Sequence, residues 1–175
     1  MRRSRGYTRR YARRIKSVKY SNETVNMTGT WELHDNATQL NVVCVAKADI
    51  QGTRKCKNFE ITMCGSEWYN NDTTAAVDKA VPICWALVYV PEGTTPGKIR
   101  WGGLDASASL YEPNQNVIMS GLWPANLTSN YKVKTRLARN LNSGDSIYLV
   151  LDTVADEPDS TKKDISINLN YAIAY

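Results

Sequence analysis

The last eleven residues of the chain read ISINLNYAIAY, in which Ile165, Ile167, Leu169, Tyr171, Ile173 and Tyr175 alternate with polar or small residues. Successive side chains of an extended chain point to opposite faces, so alternation of this length predicts a strand with one buried side. NYKVKTRLAR (130–139) alternates too, with Val133, Thr135 and Leu137 on one side and Lys132, Lys134 and Arg136 on the other. PICWALVYV (82–90) and SIYLVLDTV (146–154) are apolar almost throughout, as strands covered on both faces would be. Further strands are predicted over 22–32, 40–47, 57–64 and 116–121. No segment of the body sustains a 3.6-residue apolar period with caps, which argues against helices.

PEGTTPG, EPNQN, NLNSGD and DEPDST separate these segments, each a turn or loop by its Pro, Gly, Asn and Asp content. Eight strands in a chain of 175 residues with 42% hydrophobic content make one globular domain, over 21–175. Several connections are too long for tight hairpins, which fits an all-β sandwich of Greek-key or jelly-roll type. The connections 65–81 and 92–114 exceed ordinary loop length and are expected to form contact surfaces.

Ahead of this domain, residues 1–20 form a cationic arm. Arg2, Arg3, Arg5, Arg9, Arg10, Arg13, Arg14, Lys16 and Lys19 are nine of the chain's 22 basic residues, and none of its 17 acidic residues lies among them. The remainder therefore holds 13 basic against 17 acidic residues, a mildly acidic body behind a strongly basic end. Such a split points to a polyanion partner for the arm. The excess of arginine favours bidentate recognition of phosphate. Tyr7 and Tyr11 interleave with the arginines and are placed to stack on unpaired bases. A mitochondrial transit peptide and a nuclear import signal draw on the same residue types. The weight falls on nucleic-acid binding, with nuclear import as a compatible second use.

Little in the sequence suggests catalysis. His34 is the single histidine, in a turn-like segment with no nucleophile motif, and phosphate-binding glycine loops are absent. The acidic run DTVADEPDS matches no calcium loop, so neither metal nor cofactor is expected. Cys44, Cys56, Cys64 and Cys84 have no zinc-site spacing. They read as free thiols, with Cys44, Cys64 and Cys84 facing the core because they lie in apolar runs; a disulfide is the minority reading. Trp85 reads as core, although the five tryptophans would also suit a carbohydrate-stacking platform. The sequons at Asn22, Asn26, Asn36, Asn71 and Asn126 read as polar strand and loop chemistry. No apolar run approaches the length of a membrane span, and no membrane partner is expected.

VYVPEGTTPG (88–97), LYEPNQNVIMSG (110–121) and RLARNLNSGDSIYLV (136–150), in this order after the arm and QGTRKCKNFEITM (51–63), resemble capsid proteins of small circular single-stranded DNA viruses that encode a replication initiator. The likeness is to circovirus-like viruses with short capsids and touches most of the body in blocks. It implies a single eight-stranded jelly roll, sixty copies of which close into a T=1 icosahedral shell around the genome. The arm would face inward onto single-stranded DNA. The block Tyr111, Glu112, Pro113, Asn114, Gln115 and Asn116 would lie at contacts between subunits. Lys132, Lys134 and Arg136 form a second basic stripe, on the inner face of such a shell or on an exposed strand face. The other partners implied are further copies of the chain and a host nuclear import receptor, and the places are the virion and, during assembly, the host nucleus. Sixty arms supply about 540 positive charges, enough for roughly a quarter to a half of the phosphates of a two-gene genome on the order of one to two kilobases. The capsid of a small RNA or satellite virus, or a non-viral β-sandwich binding module with a targeting arm, shares the arm and the strand pattern.

Overall fold

The computed structural model describes residues 19–32, 41–49, 51–67, 69–70, 82–96, 116–124, 130–153 and 161–174. Their regular structure is entirely β: β1 (Tyr20–Glu32), β2 (Asn41–Lys47), β3 (Arg54–Gly65), β4 (Tyr69–Asn70), β5 (Ile83–Val90), β6 (Asn116–Trp123), β7 (Tyr131–Leu141), β8 (Ser146–Thr153) and β9 (Thr161–Ala174). The strands form two antiparallel sheets with orders β1-β9-β3-β7 and β2-β8-β5-β6. The two-residue β4 is a ninth element beyond the eight expected, and it pairs with the start of β9.

The pairing is nested. The outermost strands β1 and β9 pair, then β2 with β8, β3 with β7, and β5 with β6 at the centre. Two further pairings, β9 with β3 and β8 with β5, join these ribbons into sheets. Burial follows the period-two pattern. Ile167, Leu169, Tyr171 and Ile173 of β9 meet Phe59, Ile61 and Met63 of β3 and Trp85, Leu87, Leu149 and Leu151 of the other sheet in one core. β5 is buried along nearly its whole length, as its continuous apolar sequence predicts. Its second face forms a small cluster of Ala86, Val88 and Val90 with Val150 of β8.

One irregularity corrects the simple alternation. β3 begins at Arg54 rather than 57, and between Lys57 and Phe59 its register with β7 shifts. Arg136 and Leu137 of β7 together oppose Asn58, which has a left-handed φ of 56°. The shift changes the alternation of β3: Cys56 before Asn58 and Phe59, Ile61 and Met63 after it all face the core. In β7 the effect is local: Leu137, expected inward, lies at the bulge and is 50% exposed although it shares the alternation of Val133, while Leu141, of that same alternation, is buried. Cys56, which lies in no apolar run, is carried into the core by the shift in β3.

The cysteines need the same correction. All four are free thiols, but only Cys56 and Cys84 are buried; Cys64 is half-buried and Cys44 is exposed. Cys44 precedes the register shift between Cys44 and Ala46 in β2, so its apolar neighbours do not predict its face. β9 starts four residues earlier than expected, which brings Lys163 inside. Its side chain is 1% exposed and donates to the Ser66 carbonyl, and its ammonium lies 5.4 Å from the Trp123 ring centre. Burial pushes its pKa down, against the attraction of Glu67.

Candidate functional site

The sheet face turned away from the core carries most of the described basic residues of interest. On β1 and along β9 up to Asp164 at its far end, that face is neutral and polar: Thr24 donates to Asn170, and Asn168 donates to Asn26. The sequons that begin at Asn22 and Asn26 contribute to this exposed face. Toward β3 and β7 it becomes cationic. Lys132 and Lys134 both contact Glu60, each at 2.5 Å, and these hydrogen bonds hold the Glu60 carboxyl below its ordinary pKa. Arg136 is exposed beside them. The predicted stripe is thus real as an exposed strand face, and one carboxylate bridges two of its three cations.

Asn58, Phe59, Glu60, Lys134, Thr135 and Arg136 line a shallow cleft of about 500 Å³ at the bulge. Closer to the start of β1, Ala172 and Ala174 face outward between Tyr20 and Lys57. Their small side chains leave room for the Lys57 ammonium to sit 3.7 Å above the Tyr20 ring centre, across β9. Lys19 is exposed immediately before β1. Neither Lys57 nor Lys55 stands out in the sequence, and the signal that would have found them is the turn-rich QGTR before an alternating strand.

Arg2, Arg3, Arg5, Arg9, Arg10, Arg13, Arg14 and Lys16, with Tyr7 and Tyr11, lie outside the described residues, as do Tyr111, Glu112, Pro113, Asn114, Gln115 and His34. Asn116 opens β6 and pairs with Tyr89 of β5. Trp85 and Trp123 are buried, so neither offers a stacking platform.

A second feature ties together blocks that are distant in sequence. Asp145, 5% exposed in the β7–β8 turn, accepts hydrogen bonds from the Tyr89 hydroxyl at 2.6 Å, the Asn142 amide at 2.8 Å and the Glu92 amide at 3.2 Å. Its backbone carbonyl accepts from the Ala48 amide, and the Gly144 amide donates to the Ala48 carbonyl. Gly144 has a φ of +83°, and a Cβ there would meet the Glu92 side chain, so this turn requires glycine. Burial opposes ionisation of Asp145, yet its three donors hold the carboxyl below the ordinary value. Burial, with the hydrogen bond and charge of Asp145, pushes the Tyr89 phenol up to about 12. VPEGTTP, NLNSGD and the first residue of β6 therefore meet at one end of the β5–β6–β8 sheet.

Gly121 serves the same sheet. It pairs with Trp85 across β5–β6, and a Cβ there would come within 2.8 Å of the indole. Among the described residues no group of three His, Cys, Asp or Glu side chains converges on a metal-sized site. No protein-family model matches the chain, and no curated protein matches it.

Proposed function

We propose that this chain is a non-enzymatic capsid protein whose domain is a jelly roll and whose arm packages single-stranded nucleic acid. The observation that carries the reading is the nested strand order. With the two-residue β4 set aside, eight strands pair first with eighth, second with seventh, third with sixth and fourth with fifth. A β ribbon wrapped once into two sheets would produce this order, which supports a jelly roll of the kind common in viral shells. Nine cations without a carboxylate precede the first strand of that ribbon. A closed shell brings many such arms to one enclosed volume, where each cation releases a counterion from a phosphate.

In this reading sixty copies close a T=1 shell around a circular single-stranded DNA genome. The segment Tyr111–Asn116 takes part in contacts between subunits. A host import receptor reads the free arm before assembly, which places the protein in the host nucleus and then in the virion. Body contacts with solvent account for the acidic balance of residues 21–175.

Electron microscopy of the purified full chain is expected to show uniform shells, with encapsidated nucleic acid that sequences as circular single-stranded DNA. Deleting residues 2–19 is expected to leave shells that are empty. A protein that stays a monodisperse monomer at every salt concentration overturns the capsid reading. Packaged RNA would keep the shell and replace the genome type.

A further inference from the structure

The geometry points to a second phosphate-binding seat on the body itself, the outer face of β3 and β7 around the Asn58 bulge, which takes the backbone of a single nucleic-acid strand after it leaves the arm. The inference rests on the packaging reading above and extends it to residues of the shell domain.

Three observations support it. The first is charge. The face holds Lys55, Lys57, Lys132, Lys134 and Arg136 against Glu60, within a body that is acidic as a whole. Glu60 is committed to Lys132 and Lys134, and Arg136 and Lys57 make no ion pair among the described residues. Asp164 stands at the far end of the face, where it accepts from Thr30 and Tyr69.

The second is shape. Two residues of β7 opposite one of β3 spread the strands and open the cleft that Asn58, Lys134 and Arg136 line. Phe59 at its floor is fully buried, so a base has no ring to stack on there. The seat therefore suits a phosphodiester, held by a guanidinium, an ammonium and the Asn58 amide.

The third is continuity. The arm joins the face at Lys19 and Tyr20, and Lys57 reaches back across β9 to the Tyr20 ring, so its ammonium lies between the end of the arm and the cleft. From β1 to β7 the face crosses three strand spacings, about 14 Å. That width accommodates two or three phosphates of one strand, without requiring any change in the sheet.

The test uses the full chain and a short labelled oligodeoxythymidylate, with affinity measured across a salt series. Each phosphate contact on a single strand contributes about 0.7 to the slope of log affinity against log salt. The triple variant Lys57→Gln, Lys134→Gln, Arg136→Gln is expected to reduce the slope by about 2 with the arm intact. Lys47→Gln, on the other sheet and paired with Asp49 at 3.2 Å, is expected to leave it unchanged. Glu60→Gln releases Lys132 and Lys134 and is expected to tighten binding and steepen the slope, a gain that damage to folding does not produce. An unchanged slope in the triple variant, or no gain from Glu60→Gln, overturns the seat. So does a triple variant that loses heparin but keeps oligodeoxythymidylate, which would make the face a polysaccharide site. Deletion of residues 2–19 tests the arm separately. A slope that falls with that deletion but not with the triple variant sinks the seat alone; the converse upholds the seat and removes the arm's role.

Discussion

Replacing Asp145 by Asn removes one charge and almost no volume, so its effect isolates what the carboxylate does. The native group accepts from Tyr89, Asn142 and Glu92 at 2.6, 2.8 and 3.2 Å. Hydrogen bonds to a charged group contribute about 1.5–3 kcal/mol each, and a carboxamide retains one acceptor while turning a donor toward a donor. One strong bond is lost and one buried donor stays unpaired, a total near 3 kcal/mol. For a chain of this size that lowers the Tm by about 6–12 °C. The assay is thermal and urea unfolding followed by tryptophan fluorescence, at several protein concentrations, because assembly makes the Tm concentration-dependent. Tyr89→Phe removes a single donor and is expected to cost about half as much. The double variant should cost less than the two singles added, since both remove the same contact. A loss under about 0.5 kcal/mol in Asp145→Asn, the range of ordinary surface substitutions, would refute the view that this carboxylate pins the turns together.

Other expectations follow from the same structure. The Tyr89 phenol titrates near 12 in the folded chain and near 10 when unfolded, so its contribution is complete below pH 10 and lost as pH rises toward 12. Alkaline unfolding should therefore take about 2 kcal/mol more stability from the wild type than from Tyr89→Phe over that window, as read by urea titrations at each pH. Asp145 acts at the other end: its depressed pKa stabilises the fold above about pH 4 and ceases to do so as pH falls through the folded value. Gly121→Ala forces the Trp85 indole to move and is expected to destabilise by about 1–3 kcal/mol with altered tryptophan emission; an unchanged urea midpoint would contradict the close packing. With a thiol reagent at neutral pH, Cys44 is expected to react in the native state and Cys84 only on unfolding. Cys56 should follow Cys84, because burial raises its pKa to about 11; equal rates for all four thiols would refute the assigned faces.

The candidate sites were legible in different degrees. Lys132, Lys134 and Arg136 show as a stripe because period-two alternation is local, and the structure keeps them on one exposed face. Lys57, Asn58 and Glu60 do not, because nothing in residues 54–65 marks the bulge or says which strand lies opposite. The Asp145 cluster is similar. Its donors come from the turn itself and from residues more than fifty positions earlier, so each block reads as an ordinary turn until β5 and β8 are paired.

By itself, the sequence determined the fold class, since alternating and continuous apolar runs without helical periodicity can bury their faces only in sheets. It also determined the concentration of positive charge in residues 1–19, which composition alone sets. Only the tertiary structure decided the partners: β1 lies on β9 although nearly the whole chain separates them. It also decided the faces at the bulge, so that Cys56 entered the core while Leu137 left it. The reason is that pairing energy is gained between strands remote in sequence, and a one-residue shift in register reverses every side chain beyond it.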